Sequence, residues 1–236
     1  MAVPTLTTVR GSEGNTLNTP GNWPTTSNND IMLIWLTLSN TTSPVLPSAP
    51  SGWTEILAST SVGSTNANTM ISSIYWKRVG AAEGAPTFSG ITGQRFFLAS
   101  QIAGCVTSGN PFDSNYSYSY NTSNSTSYSL DIGTTTQTDC LIIYYLASSI
   151  GTSNTFSAES NSNLSSLTEN YDTAAGESTM GHISGGLAAG GAVGTLTGTQ
   201  GNALGIYFGI PMLSTTSAPV GGATSFGRSS LLGVGK

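Results

Sequence analysis

DIMLIWLTLSN, residues 30–40, is the segment of this sequence that most clearly indicates the fold class. Its apolar residues are consecutive at the start, so both faces of an extended strand would be apolar. Such a strand lies in the middle of a sheet with both faces covered. Further strongly apolar runs, which supply the rest of the predicted core, occur at 70–79, 94–106, 139–149 and 201–211.

Short clusters of turn-forming residues separate these runs, for example PSAPSGW at 47–53. Gly, Pro, Ser and Asn favour turns, and turn signals about every 8–12 residues are typical of a sandwich or barrel. No segment has the apolar spacing of a helix. The sequence therefore predicts an all-β protein of about ten strands, a single antiparallel two-sheet sandwich in which 54–62 and 70–79 form a hairpin.

The domain boundaries follow from the length and from the last apolar run. A chain of 236 residues is expected to form one domain. We predict a β-sandwich over residues 1–211, with a last strand that ends at Pro211, and an extended C-terminal arm over residues 212–236. Within the run 94–106, regular alternation requires Ser100 to face inward, and a bulge near Ser100 is the alternative.

Four segments resemble a β-sandwich module of bacteriophage structural proteins, as found in decoration, head-fibre and tail-associated proteins. They are SGWTEILAS (51–59), SSIYWKRVG (72–80), FFLASQIAGCVTSGNPFD (96–113) and NALGIYFGIP (202–211). The resemblance covers about residues 5–211 and does not extend to the arm. It implies a sandwich of jelly-roll type and a structural role in the virion.

Charge and hydropathy argue against several classes of partner. Six Lys and Arg against eleven Asp and Glu give a net charge of −5, and the basic residues form no stripe, which argues against nucleic-acid binding. No apolar run is long enough to span a membrane. The start, MAVPTLTTVR, is not a classical signal peptide. We therefore expect assembly in the host cytoplasm.

Residues that could support catalysis or bind metal are few and scattered. His182 is the one histidine, and Ser184 lies on the same face of a predicted strand. Neither serine in STMGHISGG lies in the G-x-S-x-G motif of a nucleophile elbow. Glu169, Asp172 and Glu177 share one stretch, where turn acids are the simpler interpretation. No zinc or calcium motif occurs. We expect no enzyme activity, cofactor or metal.

The two cysteines each lie beside an apolar run. Cys105 ends QIAGCV, and Cys140 begins CLIIYYL. Because free cysteine packs as a small apolar residue, we interpret both as buried thiols. A cross-strand disulfide is the alternative.

Tyr116, Tyr118 and Tyr120 alternate with polar residues in SNYSYSYNTS, so their rings would share one face of an extended segment. They could pack on the core, form a contact surface for a protein partner or a glycan, or belong to a disordered loop. Packing on the core is the simplest of these interpretations, and the enrichment of tyrosine at interfaces supports the second.

The arm carries spaced apolar and basic residues that could attach it to a neighbour. They are Phe226, Arg228, Leu231 and Leu232, followed by Val234 and Lys236. A segment rich in Ser, Gly and Thr cannot fold alone. We expect it to become ordered against another subunit, and an unattached tail is the alternative.

The function expected from these observations is non-enzymatic: a virion structural protein, most specifically a capsid decoration or cement protein or a short head fibre. A tail or baseplate component is an alternative, and so is an adhesin module that binds a receptor or polysaccharide. The expected partners are further copies of the chain, most simply a homotrimer, the major capsid protein, and a host-surface glycan.

Overall fold

The computed structural model describes residues 3–14, 16–39, 44–59, 62–63, 69–149, 155–175 and 178–215. Within these ranges the chain forms eleven β-strands and no helix, arranged as two antiparallel sheets. The two sheets pack face to face around a shared apolar core. The predicted all-β, two-sheet sandwich is confirmed.

Sheet 1 is built from the first half of the chain. Its strands are β1 (Thr5–Gly14), β2 (Ile31–Ser39), β3 (Thr54–Ala58), β4 (Met70–Arg78) and β5 (Gln94–Ala103). They lie in the order β1-β5-β2-β4-β3. The predicted hairpin is the pair β3 and β4, which are antiparallel neighbours.

Sheet 2 is built from the second half. Its strands are β6 (Ser117–Asp131), β7 (Cys140–Ser148), β8 (Ser157–Ser160), β9 (Ser165–Ala175), β10 (Ser178–Leu187) and β11 (Thr195–Leu213). They lie in the order β6-β11-β7-β10-β9, with β8 paired to the start of β11. Among the described residues, β6, β8 and β9 each pair with one strand only and are the edge strands of this sheet.

The two sheets have the same strand order once β8 is set aside. In each, the first strand pairs with the last, the last with the second, the second with the fourth, and the fourth with the third. The central registers also correspond, because the neighbours of Trp35 in sheet 1 occupy the positions of the neighbours of Tyr145 in sheet 2. These neighbours are Ile74 and Leu98 around Trp35, and His182 and Phe208 around Tyr145.

Jelly-roll connectivity is not confirmed. In a jelly roll successive strands pass back and forth between the sheets, whereas here the chain completes sheet 1 before it enters sheet 2. The crossing is made once, by the segment between Ala103 and Ser117. That segment is held to the end of β11 by isolated bridges at Cys105 and Phe112.

The core between the sheets is centred on Trp35 of β2. Its ring lies 5.3 Å from that of Tyr145 in β7 and 6.1 Å from that of Phe208 in β11. The Tyr145 hydroxyl donates a hydrogen bond of 2.9 Å to Ser100 Oγ in the opposite sheet. All of these side chains are buried, so this contact joins the two halves of the chain.

The outer faces of both sheets are also covered. Loop residues pack on sheet 1, and the Tyr75 hydroxyl donates to the Pro47 carbonyl at 2.8 Å. Phe156 and Val193 pack on the outer face of sheet 2. Every residue of β2 and β7 is consequently buried, which confirms for Ile31–Ser39 the predicted central strand with both faces covered.

Two details of the strands differ from, or resolve, the predictions. Ser100 faces inward and β5 pairs regularly with β2, so the bulge is not in this strand; a register shift occurs instead in β1, between Leu6 and Thr8. The last strand continues through Pro211 to Leu213. The Pro211 carbonyl accepts a hydrogen bond of 2.9 Å from the Asp113 amide, so the backbone of Pro211 points away from β7. Although proline has no amide proton, its presence at this position therefore costs no hydrogen bond to β7.

The central tryptophan gives a test of the fold. Trp35→Ala should lower the free energy of unfolding by about 3–5 kcal/mol, because it leaves a cavity between the sheets. Chemical denaturation measures this. Val45→Ala is the control, since Val45 is 62% exposed and should change stability by less than about 0.5 kcal/mol. A loss below about 1 kcal/mol for Trp35→Ala would contradict the packing described.

Candidate binding edge

The tyrosine segment lies at an edge of sheet 2. Tyr118 and Tyr120 belong to β6, a strand of 15 residues whose described neighbour is β11 alone. From Ser117 onward the segment is thus an edge strand, and Tyr116 directly precedes it. We call the exposed side of β6, together with the rings of Tyr116, Tyr118 and Tyr120, the tyrosine edge.

Two of the tyrosines form a stack that begins in the core. The Tyr118 ring lies 5.5 Å from that of Phe208 at an interplanar angle of 27°, and 6.0 Å from that of Tyr120 at 25°. Tyr118 is half-buried, whereas Tyr120 is 44% exposed. The stack therefore runs from the Trp35 cluster to the solvent, and only its outermost ring is free to meet a partner.

Tyr116 belongs to a second aromatic group at the same edge. Its ring meets that of Phe112 edge to face at 5.5 Å, and Phe112 meets Trp76 in the same way at 5.5 Å. All three are partly buried against the core between the sheets. The structure thus brings the three predicted tyrosines to one edge, two of them half-covered and one exposed.

Asp113 holds this edge in place, a role that its sequence context does not indicate. The buried carboxylate accepts hydrogen bonds of 2.7 Å from both the amide and the hydroxyl of Thr136, and one of 3.1 Å from the Asn115 amide. Arg78 donates to the Val106 and Gly109 carbonyls of the same crossing segment. These hydrogen bonds fix the conformation of the Pro-Phe-Asp corner and thereby position Phe112 and Tyr116.

The predicted arm falls almost wholly beyond the part of the chain that the structure describes. Met212 and Leu213 belong to β11, and the Thr215 amide donates to the Gly104 carbonyl at 3.2 Å. The expected anchors lie outside the described residues; they are Phe226, Arg228, Leu231 and Leu232.

His182 is a core residue. It is fully buried, its ring meets Tyr145 edge to face at 4.9 Å, and burial lowers its pKa to about 3. The Asn170 side-chain amide donates to His182 Nδ1 at 3.3 Å and to Ser184 Oγ at 2.8 Å. Asn170 thus lies between histidine and serine, and the position of His182 matches that of Ile74 in the other sheet.

Three carboxyl groups interact on the outer side of sheet 2. Glu169 and Asp172 of β9 are joined there by Glu159 of β8, whose carboxylate accepts from the Tyr128 hydroxyl at 3.2 Å. Burial, and then repulsion from Glu169, raise the pKa of Asp172 to about 7. Glu177, the third acid of the sequence stretch, lies outside the described residues.

Both cysteines are buried and free, as predicted. Burial raises the pKa of each thiol to about 12, so neither is a thiolate near neutral pH. Cys105 packs between the sheets, and Cys140 packs on the outer face of sheet 2.

Across the described ranges, no three His, Cys, Asp or Glu side chains are arranged to hold a metal ion. The same ranges contain no helix that is long and apolar enough to cross a membrane. A small cavity of about 120 Å³ opens between β1 and β9, lined by Gly11, Glu13, Tyr171 and Met180 among others.

The carboxyl group of Asp172 predicts a pH dependence of stability. Its pKa is raised in the folded state, so the folded protein binds the proton more tightly and stability falls as pH rises from about 4 to about 7. Asp172→Asn should therefore be most stabilising above pH 7 and nearly neutral below pH 4. Thermal unfolding across this range measures the difference from the unsubstituted protein.

Glu169→Gln is the matched control for this effect. It removes the neighbouring charge that helps to raise the pKa of Asp172, so the fall in stability between about pH 4 and 7 should become smaller. An Asp172→Asn protein whose stability follows that of the unsubstituted chain at every pH would refute the assignment.

The chain was compared with models of protein families, with curated proteins and with solved structures, and none of the three comparisons gave a match. A functional assignment for this chain therefore rests on its own residues and on the geometry of the tyrosine edge.

Proposed function

We propose that this chain is a non-enzymatic structural protein of a bacteriophage particle, a capsid decoration or cement protein or a short head fibre. The observation that carries the proposal is the tyrosine edge, where an edge strand with no charged residue before Asp131 presents the exposed ring of Tyr120 beside two half-buried tyrosines. Aromatic residues with exposed strand edges favour contact with another protein.

Two further features support this role. The four segments that resemble phage structural proteins fall on four of the strands that form the two sheets: β3, β4, β5 with its Asp113 corner, and β11. Both sheets also have apolar layers on their outer faces. A body with three apolar layers suits a protein that must stay folded outside the cell.

The mechanism is stabilisation by shared burial. Copies of the chain, most simply a trimer, associate with one another and with the major capsid protein in the host cytoplasm. Each contact between this chain and the assembled shell stabilises the shell relative to its separate subunits. A position on the tail or baseplate is the alternative within the same class.

Incorporation into particles tests the proposal. Tyr120→Ser should reduce the amount of protein in purified virions several-fold, because it removes the exposed ring of the edge. Val45→Ser is the matched control, since Val45 is the other large apolar side chain exposed among the described residues. Absence of the unsubstituted protein from the virions would overturn the proposal.

A glycan-binding adhesin is the second candidate function. The nearly parallel rings of Tyr118 and Tyr120 favour it, since the exposed face at the end of a stack can lie against the apolar face of a sugar ring. The partners in this case are host-surface polysaccharides.

Direct binding distinguishes this candidate. If the edge binds sugar, Tyr120→Ser should weaken binding to host-cell polysaccharide at least tenfold, and Val45→Ser should not change it. Isothermal calorimetry with the purified polysaccharide gives the measurement. Equal affinity of both variants and the unsubstituted protein would exclude the tyrosine edge as the sugar site.

A further inference from the structure

The edge strands of the described chain differ in how they are protected against pairing. Charges on an edge strand hinder the addition of another strand. The edge strands β3 and β8 are short and contain Glu55 and Glu159, and β1 and β9 each carry two charged residues. These are Arg10 and Glu13 in β1, and Glu169 and Asp172 in β9. By contrast β6 has no charge and no proline before its last residue, Asp131.

The backbone of β6 is also oriented to accept a strand. The backbone carbonyl of Pro211 in β11 points away from β7, because it accepts a hydrogen bond from the Asp113 amide. The backbone groups of the alternate residues Tyr207 and Gly209 point to the same side, toward β6. These two pair with Ser119 and Ser117 of β6. The intervening residues, Tyr118 and Tyr120, therefore direct their amides and carbonyls to the open side of the sheet.

The charge distribution along the chain points to the occupant. Residues 1–215 contain all eleven acids and four of the six bases, whereas residues 216–236 contain Arg228, Lys236 and no acid. The C-terminal segment thus carries the charge complementary to the rest of the chain. Opposite charge favours the encounter of the two.

The pattern of the C-terminal segment fits the same site. In an extended conformation Phe226, Leu232 and Val234 would lie on one face, because their spacing is even. The tyrosine edge presents Tyr118 and Tyr120 on one face of β6. A strand added beside them gains most when its apolar residues fall on that face.

We propose that residues 226–234 of one copy add as a strand to the open side of β6 in a second copy. The inference rests on the proposed role as an assembly subunit, because it assigns the arm to a neighbour. Backbone hydrogen bonds to Tyr118 and Tyr120 hold the strand, and the apolar side chains cover the exposed ring of Tyr120.

Complementation of two variants of the full protein tests this. Tyr120→Pro removes the outward amide while the arm remains, and truncation after Thr215 removes the arm while the edge remains. Each should be monomeric alone by analytical ultracentrifugation, and a mixture should form a one-to-one dimer. Tyr120→Ser is the matched control, since it loses the same ring but keeps the amide, and it should associate at least tenfold more tightly than Tyr120→Pro.

A second pair of variants leaves the sandwich untouched and serves if Tyr120→Pro does not fold. Phe226→Asp with Leu232→Asp should abolish association, whereas Ser225→Asp with Ser229→Asp, on the opposite face, should retain it. The inference is overturned if the truncated protein associates as the full chain does, or if the full chain is a monomer. Association in solution combined with absence from virions would instead reject the proposed function alone.

Discussion

The burial of both faces of β2 and β7 is the constraint on which the rest of this structure depends. Every residue of both strands is buried, so each strand must have a partner sheet on one side and a cover on the other. The contact of Trp35 with Tyr145 satisfies the first requirement. Loop residues such as Phe88 and Phe156 satisfy the second, which explains why the long connections of this protein carry large apolar side chains.

The sequence predicted the strongly apolar strands and gave no indication of β1. β1 reads TLTTVRGSEG and has no buried residue, so its hydrophobic pattern is weak. The equivalence of the two sheets was also missed, because corresponding positions share burial more than identity. Ile74 and His182 illustrate this: the position is buried in both sheets, but only the three-dimensional register shows that they correspond.

For the candidate site, period-two alternation placed three tyrosines on one face, and the structure shows which neighbours they have. Phe208 and Trp76 come from strands distant in sequence, so no local pattern indicates them. The role of Asp113 was beyond prediction for the same reason, since its main donor, Thr136, belongs to another loop. Acidic residues are common in turns, and only the hydrogen-bond partners of Asp113 show that it holds two loops together.

The single crossing between the sheets also has a consequence for biosynthesis. Sheet 1 can be complete once β5 has been made, at a time when none of sheet 2 exists. Its inner face, with Leu33, Trp35 and Leu98, then lacks the surface that covers it in the finished protein. Because β11 lies between β6 and β7, that cover is completed only when the last described strand leaves the ribosome. If sheet 1 forms during synthesis, the nascent chain exposes an apolar sheet until β11 is made, and exposed surface of this kind makes folding intermediates prone to aggregation.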